Sequence, residues 1–262
     1  VMFEPGVEVD PKNHVASVVK AVRLLELFTD GEPSLSFGQL VELSGFSRTT
    51  THRLLGTLEL VGWVDRSGDR YRLALRVFRL GSTAVSGIQL RHEASHVMSE
   101  LAAEHGEDVY LVVPDGPRAV CLERIEGRTP VHVMVLDIGK SLPLFVGGGP
   151  VALLTAREND LLPALLASGP CVAPDGHVVS HDEIRRRIDE TRSLGYSRSM
   201  EDVTQGVGAF GAAIRNAQGF AIGAISLGAL KSTLEEREAE LSTALVAAAD
   251  RISARMGWVP PS

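Results

Sequence analysis

The first regular run of apolar positions is residues 15–28, VASVVKAVRLLELF, where Val18, Val22, Leu24 and Leu25 fall at helical spacing. Gly31 and Pro33 in TDGEPSL break the pattern. A second short helix is predicted in SFGQLVELSG: Ser36 with Gln39 makes a capping box, Leu35 and Leu40 are spaced as a hydrophobic staple, and Gly45 suits the stop. Ser47 can cap a third helix that runs to Val61. Two helices joined by a turn of about three residues have helix-turn-helix spacing. GWVDRSGDRYRL then predicts a hairpin turning at Ser67-Gly68-Asp69, with Val64 opposite Tyr71 and Arg66 opposite Arg70. A hairpin directly after the third helix makes the unit a winged helix-turn-helix.

Beyond it, ALRVFRLGSTAVSGIQL predicts a linker helix broken at Gly81 or Gly87. RHEASHVMSELAAEHG predicts an amphipathic helix ending at Gly106, with Leu90, Ala94, Val97, Met98 and Leu101 on its buried stripe. DVYLVVP, RAVCLERIEG and VHVMVLDIG read as strands, GGGPVALLTA as glycines leading into a helix, and HDEIRRRIDETRSLG as a charged helix. GVGAFGAAIRN and GFAIGAISLGAL read as two strands around an NAQG turn, and residues 233–256 as a final helix. Strands flanked by helices without βαβ alternation predict an α+β fold with an antiparallel sheet. The predicted organisation is a disordered tail at 1–14, the winged helix-turn-helix at 15–75, the linker helix at 76–90 and a second domain at 91–262.

Composition changes this picture little. At 44% hydrophobic and 23% charged residues, both domains can bury a core. The acidic start VMFEPGVEVDPKNH lacks the apolar region of a signal peptide, and no apolar run approaches the ~18 residues of a membrane span. Cys121 and Cys171 lie too far apart for a short metal or redox spacing and are expected as reduced thiols of a cytoplasmic protein.

Charge distribution is more informative. Residues 1–80 hold ten Lys/Arg against ten Asp/Glu, so the whole net charge of −7 falls on residues 81–262. Residues 45–80 carry seven arginines against Glu59, Asp65 and Asp69. An acidic body with a basic N-terminal patch fits a small, focused contact with nucleic acid. On the third helix Thr51, Leu54, Leu55, Leu58 and Val61 share the core face. The opposite face shows Thr49, His52, Arg53 and Gly56, flanked by Arg48. Arginine can bond guanine and threonine can touch phosphate or a thymine methyl, so such a face suits the major groove. Ser47, Arg48, Thr49, Thr50, His52 and Arg53 are the candidate contacts, with Arg66, Arg70 and Arg72 of the wing available for phosphates or a minor groove. A solvated face on a protein-interaction module is the alternative.

The stretch SGFSRTTTHRLLGTLELVGWVDRSGDRYRLALRVFRLG resembles the DNA-binding domain of IclR-type transcriptional regulators, which show a small residue and Thr before His-Arg-Leu-Leu, then Gly with an aromatic, then Tyr and Leu in the wing. RHEASHVMSELAAEHGEDVYLVV, SLPLFVGGGPVALLTA and TRSLGYSRSMEDVTQGVGAFGAAIRNAQGFAIGAISLGAL match the rest of that family in order and spacing. The resemblance implies a GAF-like effector-binding domain and a homodimer or dimer of dimers on a pseudo-palindromic operator. It also implies a small-molecule effector that alters the grip of the DNA heads, with no cofactor and no membrane partner. A repressor of a catabolic operon is the role expected.

Glycines leading into a helix expose backbone N–H groups toward an anion, and many effectors of the family are carboxylates, so Gly148 and Gly149 are anion-site candidates. The resemblance adds Met134, Glu201, Val207, Ala209 and Ser226 as pocket positions. Pro150-Val151 stands where the family often has Gly-Lys, Ala209 where a Cys or Ser is common, Ala213 where Pro is frequent, and Gly228 in place of a second serine. The acidic pocket position falls near Ser199, with Glu201 close by. These departures imply either a larger, partly apolar ligand such as an aromatic acid or a degenerate site with no ligand.

The chain carries two further motifs, at 92–96 and 206–211. HEASH places His92, Glu93 and His96 in the H-E-x-x-H pattern of a zinc hydrolase. A catalytic zinc needs a third protein ligand, and no Gly-x-x-His continuation follows. GVGAFG at 206–211 matches G-x-G-x-x-G, yet a strand-like segment follows it where a dinucleotide site needs a helix. A non-enzymatic regulator is therefore the expectation, with a zinc-dependent hydrolase and a protein-interaction adaptor as alternatives.

Overall fold

The computed structural model describes residues 14–29, 32–86, 88–129 and 136–260. The tail expected at 1–14, except His14, and the pocket candidate Met134 lie outside the described residues. The chain divides into two compact units at residues 86/87.

In the first unit, α1 (Ala16–Glu26), α2 (Phe37–Ser44) and α3 (Arg48–Leu60) pack around Leu24, Leu40, Leu55 and Leu58. Ser36 caps α2 through a complete capping box with Gln39, and Gly45 ends it in the left-handed region at φ +67°. The wing comprises β2 (Val64–Ser67) and β3 (Arg70–Leu73), and a short β1 (Leu35–Ser36) pairs with the outer edge of β3. Its register differs from the expected one: Val64 faces Leu73 and Arg66 faces Tyr71, because the turn is the two residues Gly68-Asp69. Gly68 at φ +63° supplies the left-handed first position of a two-residue hairpin loop. Val61, expected in the core, is 42% exposed. It is the C-cap of α3, past the last turn that contacts the other helices.

Helix α4 (Leu75–Ser86) follows, uninterrupted at Gly81, and α5 (Gln89–His105) opens the second unit. This unit is a six-stranded antiparallel sheet in the order β6-β5-β4-β9-β8-β7, formed by β4 (Asp108–Asp115), β5 (Arg118–Ile125), β6 (Ser141–Pro143), β7 (Ser197–Met200), β8 (Val207–Arg215) and β9 (Ala221–Leu230). The central strand β9 is buried along nearly its whole length. On one face Leu111, Phe210, Ile214 and Ile225 pack against α5, α9 (Lys231–Glu236) and α10 (Glu238–Arg255). On the other, Val112 and Ala224 pack against α6 (Gly148–Ala156), α7 (Glu158–Ala167) and α8 (His181–Leu194). The strand expected at 131–139 lies partly outside the described residues, and 136–139 lead into a turn.

Glycine lets α6 begin in contact with the sheet. A Cβ on Gly211 would stand 2.2 Å from the Gly148 carbonyl oxygen, and one on Gly148 would stand 2.7 Å from the Phe210 backbone. Only hydrogen atoms fit between these main chains, so the N-terminus of α6 is held directly over β8.

Candidate functional sites

In the first unit, Ser47 accepts a hydrogen bond from the Thr50 N–H, and the two hydroxyls lie 2.9 Å apart. Both side chains are thus engaged in starting α3. Thr51, Leu55 and Leu58 are buried, whereas Arg48, Thr49, His52, Arg53, Gly56 and Thr57 are exposed along the opposite side. Arg48 lies over the Phe37 ring at 5.0 Å and His52 meets the same ring edge-on at 6.2 Å, which ties the outer face of α3 to α2. Among the described residues the Arg53 guanidinium has no acceptor. In the wing, Arg66 bonds the Gly68 carbonyl at 2.9 Å and lies over Tyr71. Arg70 is half-buried and bound to Ser34 and Glu32, so its guanidinium is held by the segment that leads into β1.

In the second unit a cavity of about 50 Å³ lies between the start of α6, the sheet and the turn at 201–206. Gly148, Val207, Ala209 and Ser226 come together on its wall, with Tyr110, Ser199 and Asp202 beside them. Gly149 does not line it: a Cβ there would press on Val112 and Ser226, which marks a packing glycine. Gly148 and Gly149 are buried, and among the described residues neither backbone N–H has a hydrogen-bonded acceptor. Ser226 donates to the Phe210 carbonyl at 2.9 Å.

The two adjacent carboxylates of the turn point to different partners. Glu201, at φ +60°, is not on the cavity wall. Its carboxylate takes Lys231 at 2.5 Å and the Gly206 N–H at 3.0 Å, and these bonds hold its pKa below the usual carboxylate range. The Asp202 side chain, by contrast, is largely buried and accepts from the Gly147 N–H and from Arg187, both at 3.1 Å, and from the Ser199 hydroxyl. Arg187 also bonds Glu183 at 2.7 Å and the Phe145 carbonyl at 2.8 Å. Asp202 was not singled out by sequence. Its signal is an Asp beside a turn, and only the left-handed Glu201 decides which of the two carboxylates faces inward. Tyr110 donates to Asp108, and burial, then the Asp108 charge, pushes its pKa up.

His92 and His96 lie on the exposed side of α5, and His96 pairs with Glu100 at 3.2 Å. Among the described residues no group of three His, Cys, Asp or Glu could hold a metal ion. Gly206, Gly208 and Gly211 lead along strand β8 and into no helix.

Comparison with known proteins bears on both units. The IclR helix-turn-helix domain matches residues 17–68, and the bacterial transcriptional regulator IclR C-terminal domain matches residues 82–254. The chain belongs to the IclR family of bacterial transcriptional regulators. The HTH-type regulator KipR of Bacillus subtilis is 29% identical over 94% of this chain and 99% of its own length. The glycerol operon regulatory protein of Streptomyces coelicolor is 29% identical over 90% and 92%. An IclR regulator of known structure from Silicibacter sp. TM1040 superposes with a TM-score of 0.79 at 25% identity, covering 94% of this chain and 98% of that one. An IclR homologue from Microbacterium hydrocarbonoxydans, solved with 4-hydroxybenzoate, gives 0.71 at 22% identity over 92% and 98%. Membership makes the first unit a DNA-binding head and the second an effector-binding domain. No helix among the described residues is long and apolar enough to cross a membrane.

Proposed function

We propose that this IclR-family regulator is a ligand-responsive repressor of a catabolic operon, acting in the cytoplasm without enzymatic activity. The observation that carries the reading is the exposed face of α3, where the side chains of Thr49 and Arg53 have no partner among the described residues and stand beside Arg48 and His52. Arg53 takes the base contact, Thr49 a phosphate or thymine methyl, and Arg66 a phosphate. Ser47, Thr50 and Arg70 act by fixing α3 and the wing. A catabolic role is supported by the relative that bears the name of a glycerol operon.

The DNA-bound form is a homodimer or dimer of dimers. Its support is the row of exposed apolar side chains at Val15, Val18, Val19 and Val22 along α1 and at Leu75, Phe78 and Leu80 on α4.

The effector is a small, partly apolar molecule seated between Gly148, Val207, Ala209 and Ser226. Its head accepts a hydrogen bond from the Gly148 N–H at the start of α6, which has no acceptor among the described residues, through the carbonyl oxygen of an organic acid or of a neutral derivative. The cavity is well below the ~300 Å³ at which ligand pockets begin, so a ring-sized ligand moves a wall. The turn at 201–206 is one such wall, held on its outer side by the Glu201–Lys231 ion pair and on its inner side by the bonds of Asp202 to Gly147 and Arg187. The 4-hydroxybenzoate held by a structural neighbour is the first compound to try.

In vitro transcription from the DNA upstream of the chain's own gene tests the reading. The protein is expected to lower transcript yield, and one of a panel of small organic acids and their amides to restore it. An increase in transcript on adding protein alone would make it an activator and contradict the repressor assignment.

A further inference from the structure

We infer that Phe37 is a positioning residue of the DNA interface: its ring holds Arg48 and His52 in a set arrangement on the reading face of α3 before DNA arrives. The inference rests on the reading of α3 as the DNA-reading helix and adds to it a residue that acts through two others.

Phe37 is placed by its neighbours in the sequence. It is the first residue of α2, directly after the cap Ser36, and the capping box with Gln39 fixes that turn. The two residues before it, β1, pair with β3 of the wing. The Phe37 N–H donates to the carbonyl of Asp69 in the wing turn at 3.3 Å. Its side chain is half-buried and packs on the core of the first unit. The backbone of Phe37 is thus tied to the wing while its ring reaches α3.

Arg48 and His52 are four residues apart on α3, so they stand on the same side of the helix. The one ring meets both. The Arg48 guanidinium lies over it at 5.0 Å, and the His52 ring meets it at 6.2 Å with 78° between the planes. Both side chains belong to exposed residues, and among the described residues no hydrogen-bond or ion-pair partner meets either of them. Phe37 is therefore what orients them. The ring takes one side of the guanidinium, and five N–H donors are more than one ring can engage. The donors left open suit two acceptors in one plane, as a phosphate or the O6 and N7 edge of guanine presents.

The gain is in preorganisation. An arginine that wanders over many rotamers loses side-chain entropy when DNA fixes it. A ring that already restricts Arg48 and His52 lowers that cost. A leucine at position 37 would still pack on the core but would offer neither face nor edge to the two side chains.

Fluorescence anisotropy of the full chain with the duplex upstream of its own gene tests this. Phe37→Leu keeps an apolar side chain on the core and removes the ring, and is expected to weaken binding about three- to tenfold. Phe37→Tyr restores the ring and should bind within about twofold of the wild type. A double-mutant cycle separates positioning from a general effect on the fold: once Arg48→Ala and His52→Ala are in place, Phe37→Leu should cost little more, because the groups it holds are gone. Losses that multiply in full, or wild-type affinity in Phe37→Leu, overturn the inference and leave α3 as the reading helix. A wild-type protein with no preference for this duplex over a scrambled one contradicts the α3 reading and the inference with it. A measurement on the wild type covers the case in which Phe37→Leu does not fold. In NMR spectra of the protein with isotopically labelled arginine, the Arg48 side-chain protons should be displaced upfield from those of the other exposed arginines by the Phe37 ring current. Arg48 protons at the common position would show that the ring does not hold the guanidinium in solution and would overturn the inference.

Discussion

Arg53 and Gly56 stand one turn apart on the exposed side of α3, and each allows a prediction of opposite kind. Arg53 has no partner to lose within the described residues, so Arg53→Ala should leave thermal stability unchanged. If it makes a bidentate base contact, the same change weakens specific operator binding by about 1–3 kcal/mol, read by titration of a labelled operator. Gly56 is helical, and a Cβ there would meet nothing within 4 Å. Gly56→Ala should therefore raise stability by roughly 0.5–1 kcal/mol through helix propensity while weakening operator binding, where the missing side chain lets the helix approach DNA. A gain in stability with unchanged operator affinity would remove Gly56 from the interface. At this scale the sequence was a good guide on α3, since helical periodicity alone separates Thr49, His52 and Arg53 from Leu55 and Leu58. It was a poor one in the EDV turn. Nothing in the residue types distinguishes Glu201, which turns out to Lys231, from Asp202, which turns in to Gly147 and Arg187. That difference is made by one left-handed backbone angle.

Among the elements, the contact of α6 with β8 and the tie between α5 and α10 are the most exposed to test. Gly211→Ala would drive a Cβ onto the Gly148 and Gly149 main chain at 2.2–2.6 Å, with backbone atoms that cannot swing aside. A loss of about 1–3 kcal/mol in urea unfolding is expected, together with a displaced α6 and weaker ligand binding. Glu240 on α10 is bonded to Arg237 and to His105 of α5, and these bonds, the Arg237 one first, hold its pKa at about 2 against an ordinary 4.5. A depressed carboxylate pKa stabilises the fold above the unfolded value and loses that contribution as pH falls through the folded one. Melting temperature should therefore drop between about pH 4.5 and 2 more steeply in the wild type than in Glu240→Gln. The two curves should converge at the acid end. Parallel curves would show that the pair does not contribute. The long elements were legible because α5, α8 and β9 carry clear periodicity or turn residues at both ends. The short edge strands β6 and β7, SLP and SRSM, have no apolar alternation and exist because β5 and β8 offer a free edge. Helix α7 carries Pro163 inside it and lacks a side-chain cap, so local signals oppose it and packing of Leu161, Leu162 and Leu165 decides. The wing was predicted in the right place with the wrong register, because a left-handed Gly68 shortens the turn.

Over the whole molecule, charge and chemistry are segregated. The net charge of −7 falls on residues 81–262, while residues 45–80 carry seven arginines. An acidic body disfavours loose attachment to nucleic acid, so binding has to come from a few well-placed contacts on the N-terminal unit. The direct test is fluorescence anisotropy of the full chain with the duplex upstream of its own gene, against a scrambled duplex of the same composition, across a salt series. The account predicts a preference of about 10³-fold or more for the native sequence, with affinity falling steeply and log-linearly as salt rises. Equal binding to the two duplexes at every salt concentration, or no binding to either at low salt, would contradict it.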